Sequence, residues 1–204
     1  MTTTRRVAFA DESAVTIRAT GQRVYVLAAT VVDANADVGD IRQRMRELHL
    51  ARRRRGEGSH PAKLHWYDEG ERHRARICTT LCTLPAVTHL AICADTAPRR
   101  DERARAFCLE QLLLELPAFG VQTLILERRD TALNSRDVRT VLGLRRRGIG
   151  AGLRIEHGDP GLEELLWIPD SVAGAYTSSL TGTEVHWASF VAAKVVRVYE
   201  TSYR

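Results

Sequence analysis

Lysine is nearly absent from this 204-residue chain: Lys63 and Lys194 are its only two, so the net charge of +5 is carried by arginine. Cysteine is sparse at four residues, and aromatic residues make up only 6%. Cys78 and Cys82 lie one helical turn apart, but no second Cys/His pair stands at a usual ligand spacing. A zinc cluster is therefore disfavoured against small buried hydrophobes. No apolar run approaches the roughly 20 residues that span a bilayer. The first residues lack the apolar stretch of a secretory signal and run straight into a strand pattern. These absences lead to the expectation of a cytoplasmic protein with no membrane segment. With 44% hydrophobic and 27% charged residues, one domain spanning 1–204 is expected, with an ordinary buried core.

The pattern along the chain alternates. Residues 7–10 read as a short buried strand ending in Asp11 and Glu12, and residues 23–32 form the longest β-type run. A helix through Ile41, Met45, Leu48 and Leu50 follows. The Gly-containing stretch 56–62 reads as a mobile loop, and "KLHWYD" as an extended segment. Helices near 69–84, 100–116 and 135–147 then alternate with strands at 87–95 and 121–127 and at "LRIEH". A helix begins near Pro169. The segment about 183–204 is apolar at helical intervals and is expected to be a C-terminal helix, packed on the sheet or forming a homodimer interface. Strands alternating with helices predict an α/β sheet, partly parallel.

Acids recur where strands end: Asp11 and Glu12, then Asp95, then Glu127, with Asp170 at a helix start. Open α/β sheets place their sites at the carboxyl ends of strands, and such acids can converge there on Mg²⁺ or Mn²⁺. Each also has a plainer role as a turn, cap or surface ion-pair residue. Strand alternation puts Asp11 on the face of Phe9 and Glu12 on the other. It favours Asp11 as ligand and Glu12 in support. The runs at Arg52–Arg55 and Arg145–Arg147 suit phosphate, but equally suit solvated helix C-termini.

"AFADES", "YVLAATVV", "KLHWYDEGERHRAR" and "LLWIPDSVAGAY" together resemble a bacterial family known as domain of unknown function 3800. The resemblance runs from Val7 to about Leu180. It implies a ribonuclease H-like fold, a mixed sheet of five or more strands flanked by helices, with a carboxylate metal site at the sheet centre. Asp11 matches the family's first-strand acid and Asp170 its late-helix acid. Glu127 and Asp95 compete for the middle position. Ala14 stands where the family usually has glycine, and Glu127 where it usually has aspartate.

The expected activity is a metal-dependent nuclease acting on RNA or DNA. Asp11, Glu127, Asp170 and His65 are its catalytic candidates, and Asp11, Glu12, Asp95, Glu127 and Asp170 its candidate ligands. Lys63, Arg128, Arg145 and Arg146 are candidate nucleic-acid contacts. A non-catalytic nucleic-acid-binding or protein-interaction module with the same fold is the alternative. The spacing of Arg44 and His49 in "RMRELH" also matches helical metal-independent ribonucleases, although the surrounding α/β pattern does not suit them.

Overall fold

A computed structural model describes residues 6–33, 35–53, 63–97, 100–182 and 185–201. The stretch 56–62 lies outside the described residues, as do Arg54, Arg55 and the side chains of Arg52 and Arg53. The strands are β1 (Arg6–Thr16), β2 (Arg23–Val32), β3 (Val87–Thr96), β4 (Val121–Glu127), β5 (Arg154–Gly158) and β6 (Val196–Thr201). The helices are α1 (Val38–Arg53), α2 (Glu71–Cys82), α3 (Asp101–Glu115), α4 (Thr131–Arg146), α5 (Trp167–Ser179) and α6 (Val185–Ala193). None of them is long and apolar enough to cross a membrane.

The six strands form one mixed sheet in the order β5-β4-β1-β2-β3-β6. β2 is antiparallel to both β1 and β3, whereas β4, β5 and β6 each run parallel to their neighbour. The chain is thus an α/β protein consistent with a ribonuclease H-like fold. Alternation sorts β1 between two cores. Phe9 joins Val26, Ala28, Ile41, Met45, Ile77, Val172 and Phe190 on the face covered by α1, α2, α5 and α6. Ala8 and Ala10 join Leu27, Cys108, Leu112, Val141 and Leu144 on the face covered by α3 and α4. A sheet covered on both sides needs apolar residues on both, which is why β2 is almost continuously hydrophobic.

β1 does not stop at its acids. It pairs with β2 as far as Thr16 opposite Arg23, so Asp11 and Glu12 lie in mid-strand. What stops nearby is the pairing of β1 with β4, which runs to Ala10 opposite Leu126. The two central strands separate just where the acids begin.

The expected C-terminal helix over 183–204 is corrected to a helix followed by a strand. Lys194, at φ 55°, takes the left-handed conformation that ends α6. The next residues alternate Val196, Arg197, Val198 and Tyr199, a period-two pattern that suits an edge strand, and they add to β3 from His89 to Ala94. "KLHWYD" is also more compact than expected: a single 3-10 turn over Trp66–Asp68 follows an extended stretch.

α5 is the most enclosed helix, buried from Trp167 through Ser178. Its hydroxyls tolerate this by bonding back into the helix, Ser171 to the Trp167 carbonyl (2.9 Å) and Thr177 to that of Ala173 (3.0 Å). At Gly174 the Trp66 ring lies against the helix backbone so closely that a Cβ would stand 2.3 Å from Cγ and Cδ1. The Trp66 indole N–H donates to Ser178 Oγ (3.0 Å), fixing the ring in that slot.

Candidate functional site

Three carboxylates from distant parts of the chain meet on the α5 side of the sheet. Asp11 projects from β1 on the Phe9 face. The β1–β4 register brings Glu127, the last residue of β4, alongside it. Asp170 enters from the first turn of α5, where an acid also suits the helix dipole. Asp11 and Asp170 are 7% and 6% exposed.

Burial raises the pKa of Asp11 well above the ordinary carboxylate range, and repulsion from Glu12, Glu127 and Asp170 adds to it. Asp170 is pushed up to about 6, chiefly by burial. His65, the Trp66 N–H and Lys63 pull it back, and Glu127 pushes it up again. Asp170 Oδ2 accepts the Trp66 backbone N–H at 2.8 Å, and His65 Nε2 stands 3.8 Å from Oδ1. The segment carrying Lys63, His65 and Trp66 is thereby tied to α5 by backbone and ring together.

Lys63 is the ammonium of the site. Its Nζ lies 2.6 Å from Glu127 Oε1, with the two side chains 17% and 12% exposed. Burial lowers the lysine pKa, but the bond to Glu127 and the attraction of Glu127, Asp11 and Asp170 outweigh it, leaving a net rise. Glu127 Oε2 is buried and has no hydrogen-bond partner among the described residues. Beside the carboxylates, three hydroxyls form a closed set: Ser13 Oγ to Thr177 (3.0 Å) and to Tyr67 (3.1 Å), and Tyr67 to Thr177 (2.7 Å). Tyr67 is half-exposed at the rim.

Oxygen-only donors suit a hard divalent cation, and a buried carboxylate oxygen with no partner is what such an ion would satisfy. Asp11, Glu127 and Asp170 supply donors of that type. Among the described residues, however, no three His, Cys, Asp or Glu side chains are grouped so as to hold a metal ion. Glu127 is instead committed to Lys63.

Other sequence candidates lie elsewhere. Glu12 is corrected from ligand to ion-pair residue: it faces the opposite side, 2.5 Å from Arg105 Nη1 and 3.6 Å from Arg129 Nε. Arg105, 2% exposed, also grips Asp137 through Nε and Nη2 (2.8 and 2.9 Å), and His157 Nε2 approaches Asp137 at 3.2 Å. Burial raises the Asp137 pKa, but the bonds to His157 and Arg105 win and hold it well below the usual carboxylate range. Glu12 is thus paired with arginines on the face of the sheet away from Asp11.

Asp95 is excluded by strand order. Its partner across β2 is Val24, whereas that of Asp11 is Ala28. The two acids are separated by about 13 Å along the strands and about 10 Å across them. Asp95 is exposed and accepts a bond from Gln22 Nε2 (2.7 Å). Arg145 and Arg146 end α4, which starts at the site end of β4 and runs back to the far end of the sheet, on the other face. Arg145 donates to the Leu153 carbonyl there (2.6 Å). Arg128 is exposed beside Glu127, with Asp159 at 4.0 Å.

Arg44 pairs with Asp40 (2.8 Å), and His49 is buried with its ring centroid 5.4 Å from that of Trp167. They sit in an α/β protein, not an all-helical ribonuclease. Ala14 is paired with Tyr25 on the α3 side of β1, so the alanine-for-glycine departure does not touch the carboxylates. The Trp66–Gly174 contact is absent from the sequence expectations, although a glycine inside a helical pattern is a signal of close approach. No protein-family model matches this chain, and no curated protein matches it.

Proposed function

We propose that this chain is a divalent-metal-dependent phosphodiester hydrolase acting on RNA or DNA, and a member of the domain of unknown function 3800 family. The observation that carries the reading is the convergence of Asp11, Glu127 and Asp170 in a buried place where two of them resist ionisation. Such a cluster is costly to keep for stability alone, and a cation relieves it. Asp11, Glu127 and Asp170 would hold Mg²⁺ or Mn²⁺, which supplies an activated water and neutralises charge on a phosphate oxygen.

The chain's own residues account for the remaining tasks. Asp170 is positioned by the Trp66 N–H, so the carboxylate keeps its aim. His65, 33% exposed with Nε2 3.8 Å from Asp170 Oδ1, would act on the leaving oxygen. Arg128 at the rim attracts the phosphate backbone. Arg145 and Arg146 have no part in this reading.

The test is cleavage of single- and double-stranded RNA and DNA with Mg²⁺ or Mn²⁺. Wild type is expected to cut at least one, Asp11→Asn and Asp170→Asn to cut none, and Asp95→Asn to cut as wild type does. Absence of cleavage by wild type, or full activity in both Asn variants, overturns the reading.

A further inference from the structure

The pairing of Lys63 with Glu127 raises a question that nuclease chemistry alone does not answer. Lys63 Nζ, at 2.6 Å from Glu127 Oε1, sets a positive charge on a carboxylate that a shared ion would need. An ammonium on one oxygen of a carboxylate repels a divalent cation brought to the other, so the two compete for its charge even where each has an oxygen of its own. The same ammonium is attracted by Asp11 and Asp170, so it neutralises part of all three acids. Meanwhile Glu127 Oε2 is left buried without a partner among the described residues, a one-sided arrangement that a lysine can satisfy only in part.

Lys63 belongs to the extended stretch before the 3-10 turn, outside the sheet and outside every helix. Its anchor lies three residues on, where Trp66 is locked to Asp170 and Ser178. The long flexible stem can therefore swing while the segment stays docked.

We propose that Lys63 is a built-in counter-ion that competes with a divalent cation for the charge of Glu127. This rests on the reading of the cluster as a metal site and adds to it a competition within the chain. Lys63 stabilises the metal-free protein and weakens its metal affinity in the same measure. It also accounts for three carboxylates that converge yet are not grouped to hold an ion.

The experiment titrates Mn²⁺ into chelator-stripped wild type, Lys63→Met and Lys63→Arg by calorimetry, with thermal unfolding of each protein with and without Mn²⁺. Lys63→Met keeps the stem length and removes the charge, while Lys63→Arg keeps the charge. The expected result is Mn²⁺ binding about tenfold or more tighter in Lys63→Met, with Lys63→Arg close to wild type. Metal-free Lys63→Met should melt below wild type, and saturating Mn²⁺ should raise its melting temperature by more. Lys63→Gln takes its place if the Met variant does not fold. Unchanged or weaker binding in Lys63→Met, or equal tightening in Lys63→Arg, overturns the competition and leaves the metal site standing. Absence of Mn²⁺ binding in every variant overturns the metal site, and the competition with it.

Discussion

Replacing Asp170 by asparagine should make the metal-free protein more stable. Asparagine keeps the size of the side chain and an oxygen to accept the Trp66 N–H, now at 2.8 Å, while removing the charge. Asp170 has its pKa raised from 3.8 to about 6, a shift of about two units. At about 1.4 kcal/mol per unit this is about 3 kcal/mol of destabilisation in the ionised native state. A raised carboxylate pKa means that the native state holds its proton more tightly than the unfolded chain. The penalty is absent below about pH 4, grows as pH rises, and is complete above about pH 6. For a chain of this size about 3 kcal/mol corresponds to about 6–12 °C in Tm. Thermal unfolding in chelating buffer from pH 4 to pH 8 measures it: the variant should match wild type at the acid end and exceed it by that margin at pH 7. A variant no more stable than wild type at pH 7, or a gap that does not vary with pH, would refute the view of the cluster as incompletely compensated charge.

Two further substitutions probe the scaffold. Gly174→Ala places a methyl 2.3 Å from the Trp66 ring atoms, so the indole must leave its slot. The expected loss is about 3 kcal/mol, read by denaturant unfolding, with a red-shifted tryptophan emission marking the moved ring. Arg105→Met removes the guanidinium, 2% exposed, that serves both Glu12 and Asp137. Leaving those carboxylates without it should lower stability by about 3–5 kcal/mol in the same assay, while Mn²⁺ affinity stays as in wild type because the network faces away from the cluster.

The parts of this molecule that depend on local periodicity are legible in its sequence. The bounds 121–127 of β4 follow from one apolar run, and period-two alternation in β1 is enough to send Asp11 and Glu12 to opposite faces. Where β1 ends is not legible, because Ala14 to Thr16 become a strand by pairing with the far arm of a hairpin. The fate of Asp95 depends on strand order, which periodicity does not encode: it stands near the end of a strand as Glu127 does, but two strands away from Asp11. Arg145 and Arg146 mislead for a similar reason, since a helix that carries arginine at its end does not say which end of the sheet it reaches. The final strand is hidden because Val, Ala and Phe at helical spacing run directly into an edge strand of similar composition. Lys63 stands out as one of two lysines among many arginines, but Glu127 lies 64 residues away in the chain, at the end of β4.

The distribution of the cluster along the chain has a consequence for how the protein folds. Asp11 lies in the first strand, Glu127 in the fourth and Asp170 in the fifth helix. β1 can pair with its hairpin partner as soon as both have been synthesised, and at that stage Asp11 meets neither distant carboxylate. The repulsion enters only when β4 joins the sheet beside β1 and α5 closes over it, and contacts so remote in sequence form late. An interaction absent from the transition state acts on the rate of unfolding and hardly on the rate of folding. The charge cluster therefore shortens the life of the finished metal-free protein without slowing its assembly, and a bound cation would lengthen that life by the same route.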